Sequence, residues 1–119
     1  MGENVQRLPP HVQQRILRLQ QVQRSLQEIL YQRQQLELEL TEVENALREL
    51  DNLPEDAAIY KSIGALLIRS EKSKVLEELN DRKEIINMRL TVLGKQEERL
   101  RGQLKDLQEK LKQELGAET

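Results

Sequence analysis

The 119-residue sequence contains no cysteine, no tryptophan and no phenylalanine, and aromatic residues make up only 2% of it. Without cysteine the chain cannot form disulfides, thiolate metal sites or a cysteine nucleophile, and it is compatible with a reducing compartment. A compact core normally draws much of its buried area from aromatic side chains. The scarcity of aromatics therefore disfavours an ordinary globular core.

The sequence also lacks long apolar runs and a large excess of charge of either sign. No stretch approaches the roughly 20 apolar residues of a membrane-spanning helix, and the N-terminus lacks the apolar segment of a secretory signal. We therefore expect a cytoplasmic protein with no membrane partner. The formal net charge is −2, so no general basic field would attract nucleic acid.

The residue sets that catalysis requires are missing as well. His11 is the only histidine, and no serine–histidine–carboxylate set of defined geometry can be built on it. No glycine-rich phosphate loop or cluster of metal ligands occurs in the sequence. We therefore expect no catalytic residues, no cofactor and no metal site, and an enzymatic function is disfavoured.

Two long stretches carry apolar residues at alternating steps of three and four. The first series is Val12, Arg15, Leu19, Val22, Leu26, Ile29, Arg33, Leu36, Leu40, Val43, Leu47 and Leu50. The second series is Leu76, Leu79, Lys83, Ile86, Leu90, Leu93, Glu97, Leu100, Leu104, Leu107 and Leu111. A repeat of 3.5 residues over about five heptads indicates a coiled-coil seam. Helices of about 40 residues would each be about 60 Å long, so we expect an elongated molecule.

The segment between the two repeats, residues 59–69, reads Ile-Tyr-Lys-Ser-Ile-Gly-Ala-Leu-Leu-Ile-Arg. Its β-branched residues and tyrosine predict a hairpin, and a Gly64-Ala65 loop suits a type II′ turn, which places glycine first. Pairing Ile63 with Leu66 sets the register. The predicted faces are Ile59, Ile63, Leu66 and Ile68 on one side and Tyr60 and Leu67 on the other. The alternative is a helix that continues through this region.

The predicted fold is mainly α: a long antiparallel two-helix coiled coil with one β-hairpin between the helices. The expected bounds within a single domain (1–119) are about 11–51 for the first helix, about 57–70 for the hairpin and about 74–115 for the second helix. Pro10 suits a first helical turn and Pro54 ends the first helix, because proline lacks an N–H and restricts the preceding residue. Ser73 is the predicted N-cap of the second helix and Gly116 its predicted end.

The polar residues in the two series predict how the helices align. If Leu50 faces Leu76, then Leu26 meets Leu100, and the polar seam residues Arg33 and Glu97 become neighbours. Polar interruptions of this kind can fix the register of a coiled coil at some cost in stability.

An isolated two-stranded hairpin is marginal in water and leaves two strand edges unpaired. We therefore expect hairpins from several chains to complete a sheet or a closed barrel. The predicted assembly residues are Ile59, Tyr60, Ile63, Gly64, Leu66, Leu67 and Ile68. The opposite end of the coiled coil is then free, and apolar residues near both termini lie there: Val5, Leu8, Val12, Ile16, Leu107, Leu111 and Leu115. Ile16 and Leu17 lie off the strict seam, so fraying would expose them easily. The alternative is that the terminal apolar residues are ordinary ends of the seam that bind nothing.

Several stretches spread over nearly the whole chain match one known family. They are Pro10-x-Val12-Gln13, Tyr31-Gln32-Arg33-Gln34-Gln35-Leu36-Glu37, Ala57-Ala58-Ile59-Tyr60-Lys61-Ser62-Ile63-Gly64, Leu66-Leu67-Ile68 and Glu78-Leu79-x-x-Arg82-Lys83-Glu84. On these stretches the chain resembles prefoldin β subunits of the archaeal type. The hairpin stretch is the most specific part of the resemblance, since leucine heptads are common.

The resemblance implies an ATP-independent co-chaperone that captures unfolded polypeptides with coiled-coil tips and delivers them to a group II chaperonin. It implies an α2β4 hexamer, in which a prefoldin α subunit and further β copies join hairpins into a β-barrel body. The hairpin residues would then serve assembly, and the terminal apolar residues would bind clients. The alternative is a structural coiled-coil tether or adaptor without client binding, which would share the seam but has no need of a hairpin.

Overall fold

The structure, a computed structural model, describes residues 7–118. Helix α1 (Pro10–Asp51) is followed by strands β1 (Ile59–Ile63) and β2 (Leu66–Ser70) and by helix α2 (Lys72–Glu118). Two long helices with a β-hairpin between them confirm the predicted fold class. The joining of hairpins into a barrel stays a prediction.

The helix ends differ from the predicted ones in two places. Helix α2 begins at Lys72, and the Val75 N–H donates to the Glu71 carbonyl over 3.0 Å. Glu71 therefore precedes the helix, and the prediction of Ser73 as N-cap is wrong. Helix α2 also continues through Gly116 to Glu118, so the predicted end at Gly116 is wrong. A helical glycine costs only about 1 kcal/mol relative to alanine, which is too little to end a helix by itself.

The hairpin has the predicted turn and register. Ile63 pairs with Leu66, and Gly64 has a φ of 57°, whereas Ala65 has no positive φ. Positive φ at the first central residue alone agrees with a type II′ turn and excludes type I′. Since directly opposed residues share a face, the register confirms the two predicted sets of side chains.

The chain divides into two compact units, of which one is Gln34–Thr91. In this unit Glu39 of α1 pairs with Arg82 of α2 over 2.7 Å, while Leu53 after α1 contacts Lys72 at the start of α2. Residue numbers therefore increase along the first helix where those of the contacting residues of the second helix decrease, so the two helices are antiparallel here. The buried seam residues of this unit are Val43, Leu50 and Ile86.

The other unit contains the chain up to Arg33 and from Val92 onward. Its core is a cluster of Val22, Leu26 and Leu100, against which Ile29, Leu104 and Leu107 pack. Leu26 and Leu100 therefore meet, as predicted. The Arg33 guanidinium lies 2.8 Å from the Glu97 carboxylate, which confirms that these polar seam residues are neighbours.

Glu97 accepts hydrogen bonds from Arg101 over 3.1 Å and from Arg33 over 2.8 Å. These two bonds hold the pKa of Glu97 below its ordinary value of 4.5. Because the pKa is lower in the folded than in the unfolded chain, the stabilisation is complete above about pH 4.5. It is lost as the pH falls through the folded-state pKa.

Glu97→Gln is therefore expected to be less stable than the unchanged chain near neutral pH and equally stable in strong acid. Urea denaturation across this pH range measures the difference. Glu98→Gln, at an exposed position beside it, is the control and should change little at any pH. A stability difference that persists in strong acid would contradict the assignment to the Glu97 carboxylate.

Candidate functional site

The hairpin exposes apolar side chains on both of its faces. Ile63, Leu66 and Ile68 lie on one face and Tyr60 and Leu67 on the other, and between 45% and 73% of each is exposed. Contiguous exposed apolar surface of this kind is uncommon on a monomer and typical of an interaction site. Five of the predicted assembly residues, together with Gly64 at the turn, are thus exposed on the hairpin, whereas Ile59 at its base is buried.

Both edges of the hairpin also offer backbone groups for pairing. The described residues form one sheet of two strands. Since Ile63 and Leu66 close the turn, their N–H and C=O groups point at each other, and the direction alternates along each strand. The backbone groups of Tyr60 and Ser62 on β1, and of Leu67 and Arg69 on β2, therefore point outward. A strand of another chain could add at either edge.

Contacts with the helices hold the base of the hairpin. Ile59 is buried, and Lys61 Nζ lies 2.7 Å from Glu78 Oε2 on α2. The hydrogen bond from Lys61 lowers the pKa of Glu78, so this carboxylate is charged at neutral pH. Below the hairpin, the buried Lys72 donates from Nζ to the Leu53 carbonyl over 2.8 Å. A basic side chain on the last carbonyls after a helix offsets the negative end of its dipole.

The predicted client-binding residues near the termini lie in different environments. Val12 and Leu111 are buried, and Leu107 packs against the Val22–Leu26–Leu100 cluster. Leu8 and Ile16 are half-buried, whereas Leu115 is 40% exposed. Val5 lies outside the described residues. Among the described members of the predicted set, only Leu115 is exposed in this arrangement of the helices.

Two further side chains matter near the ends of the helices. Leu17, which is one step outside the seam, is 58% exposed. Arg15, a seam position, pairs with Glu114 over 2.6 Å. Arginine at a seam position indicates a partner on the facing helix, but the repeat by itself does not say which glutamate provides it.

Within residues 7–118, no group of three or more histidine, cysteine, aspartate or glutamate side chains could hold a metal ion. In the same part of the chain, no helix combines the length and apolar character needed to cross a bilayer.

The family model described as "Prefoldin subunit" matches residues 13–118 of this chain. The chain belongs to the prefoldin family. Among its relatives, the prefoldin subunit beta of Methanothrix thermoacetophila is 41% identical over 92% of this chain and 91% of that protein. The prefoldin subunit beta of Pyrobaculum neutrophilum is 44% identical over 92% of this chain and 86% of its own.

Solved structures agree with this family assignment. The crystal structure of the prefoldin beta subunit from Thermococcus strain KS-1 matches with a TM-score of 0.83 and 38% identity, covering 91% of this chain and 95% of that one. The prefoldin beta2 subunit of the same strain matches with a TM-score of 0.69 and 26% identity, covering 76% of this chain and 97% of that one. The chain is thus a member of a chaperone family with the helix–hairpin–helix fold of prefoldin beta.

The matched range contains the whole hairpin and most of both helices. Leu107, Leu111 and Leu115 fall inside it, whereas Val12 precedes its first residue.

Proposed function

We propose that this chain is the β subunit of an ATP-independent co-chaperone that acts in the cytoplasm. It captures unfolded polypeptides with the terminal parts of its helices and delivers them to a group II chaperonin. The observation that carries the proposal is the similarity to relatives called prefoldin subunit beta, at 41% identity over 92% of the chain.

The hairpin supports the assembly part of this proposal. Its exposed side chains on two faces and its outward-pointing backbone groups on two edges give a single chain more binding surface than it can cover itself. Hairpins from a prefoldin α subunit and from further β copies would bury the faces and pair the edges in an α2β4 hexamer. Closing strands into a barrel removes the unpaired edges that otherwise promote aggregation.

The ends of the helices support the client-binding part. Leu115 and Leu17 are exposed when the helices are packed, and opening the last turns would add Val12 and Leu111 to the accessible apolar surface. Terminal turns are the least stable part of such a helix pair, because they have neighbours on one side only. Each contact with an unfolded chain is weak, but several subunits held in one assembly act together through a high effective concentration.

Removing residues 1–10 and 112–119 is expected to leave assembly intact and to weaken protection of a denatured protein against aggregation. The deletion takes away Val5, Leu8 and Leu115 of the predicted client-binding residues while leaving residues 57–70 in place. Light scattering of a diluted, chemically denatured test protein measures protection, and sedimentation measures assembly. Full protection by the shortened chain would contradict the client-binding assignment.

The deletion also removes Glu114, the ion-pair partner of Arg15. Point variants therefore provide a matched control. Leu115→Ser changes an exposed leucine near the end of α2, and Val92→Ser changes an exposed apolar residue in the interior of the same helix. Only Leu115→Ser should reduce protection. Equal losses from both would indicate that apolar surface acts regardless of its position.

A coiled-coil tether without client binding is the second candidate. The burial of Val12 and Leu111 favours it, because packed helices present few apolar side chains near the termini. The same aggregation measurement separates the two functions, since a tether would not slow the aggregation of a denatured protein at any concentration.

A further inference from the structure

The face of the hairpin that carries Ile63, Leu66 and Ile68 contains one charged residue. By the strand register, Lys61 lies on this face between Ile59 and Ile63, directly opposite Ile68. A charge within an apolar face that is meant to be buried is costly unless it is paired. Here it is paired: Lys61 Nζ lies 2.7 Å from Glu78 Oε2, in the second turn of α2.

This pair has a particular place among the contacts that hold the hairpin. Among residues 7–118, no other ion pair or side-chain hydrogen bond joins a strand to a helix. At the base of the hairpin Ile59 is buried and only Glu71 separates β2 from α2, whereas Ile63 and Leu66 beyond Lys61 are exposed. A two-stranded hairpin held only at its base would be free to change its angle to the helix.

We propose that the Lys61–Glu78 ion pair is a positioning contact, which sets the angle at which the hairpin leaves α2 and so presents its faces and edges to other chains. The inference rests on the proposed assembly through the hairpin. Its physical basis is preorganisation: a hairpin already held in the associating orientation loses less conformational freedom when chains join.

The exposure of the pair indicates which quantity it should affect. About a third of the Lys61 side chain (33%) and 42% of the Glu78 side chain are exposed. Ion pairs this exposed contribute little to folding stability, because water and salt screen them. A change that weakens assembly without lowering the unfolding temperature would therefore identify positioning rather than general stabilisation.

The first experiment measures assembly by the full-length chain mixed with an archaeal prefoldin α subunit, by sedimentation over a dilution series. Glu78→Gln and Lys61→Met should each raise the dissociation midpoint roughly two- to tenfold, the effect of leaving one or two side chains free to move. Lys61→Arg, which keeps the charge and a hydrogen-bond donor, should assemble as well as the unchanged chain. Unfolding temperatures of the chain alone, measured without the α subunit at one fixed concentration, should stay unchanged.

Glu39→Gln provides a matched control. It removes the Arg82–Glu39 pair, which is also 2.7 Å long and also joins α2 to another element, but does not involve the hairpin. Assembly should be unaffected. If Glu39→Gln weakens assembly as much as Glu78→Gln, or if Lys61→Arg fails to assemble as well as the unchanged chain, the positioning role is overturned.

A second measurement tests the orientation directly and does not depend on assembly. Because the sequence has no cysteine, spin labels can be attached specifically to a chain carrying Ser62→Cys and Asn87→Cys, diluted with unlabelled chain. Glu78→Gln should broaden the distribution of distances between the two labels, whereas an unchanged distribution would overturn the proposal. If disrupting the apolar face leaves assembly intact, the proposed function fails, and the label distances still decide whether the pair orients the hairpin.

Discussion

Ile63→Asp combined with Leu66→Asp is expected to convert the assembled protein into single chains. The two residues are directly opposed next to the turn, and their side chains are 53% and 65% exposed. In an assembled barrel both would be buried, and an unpaired buried carboxylate is strongly unfavourable, commonly by several kcal/mol. Two of them in every hairpin exceed what the association of marginal two-stranded units can offset. Sedimentation of the purified chain with a prefoldin α subunit measures the loss.

The chain offers a closely matched control for this experiment. Ile85 and Met88 on α2 are 51% and 63% exposed, so their replacement by aspartate adds the same charge at nearly the same exposure. Assembly should survive Ile85→Asp with Met88→Asp. Helical content by circular dichroism should be unchanged in both double variants. Intact assembly in the hairpin variant, or its equal loss in the control, would contradict assembly through the hairpin.

Leu100→Ala is expected to destabilise the chain by about 2–5 kcal/mol, the usual cost of truncating a buried leucine. Leu100 is 9% exposed and forms one cluster with Val22 and Leu26 of the facing helix. A chain with few aromatics has little other apolar area with which to refill the cavity, so the loss should not be compensated nearby. Urea denaturation at fixed protein concentration measures it, since the apparent stability of an oligomer depends on concentration.

Leu17→Ala is the control for the seam. Leu17 belongs to the same compact unit and has the same side chain, but is 58% exposed. Its replacement should change stability by no more than about 0.5 kcal/mol, the usual range for surface substitutions. Similar effects of the two substitutions would show that the seam does not run through Leu100.

The hairpin was predictable because its signals are local. Only glycine readily adopts the positive φ of the first central position in a type II′ turn, so Gly64 marks the turn, and the turn in turn sets the pairing of Ile63 with Leu66. The neighbouring Arg33 and Glu97 were predictable for a related reason. Each is a polar residue in a mostly apolar series. Because a short hairpin joins the two antiparallel helices, few alignments of the helices are possible, and these limit which polar seam residues can face each other.

The helix ends were less predictable, because they depend on small energies. Serine is a favoured N-cap, yet α2 already begins at Lys72, whose buried side chain donates a hydrogen bond to the Leu53 carbonyl. Gly116 costs the helix little and does not end it. Propensities of about 1 kcal/mol are easily outweighed by one well-placed tertiary contact.

The sequence by itself determined the two helices, the hairpin between them and the faces of that hairpin, because periodicity and turn chemistry act over a few residues. It indicated the family through the resemblance of several stretches to prefoldin β subunits. Only the tertiary structure decided which apolar residues are accessible: Val12 and Leu111 are buried, whereas Leu17 and Leu115 are exposed. It also selected the partners of Lys61, Lys72 and Arg15. Such choices depend on how a facing helix or strand is placed, and many glutamates along a charged helix are equivalent until that placement brings one of them within 3 Å.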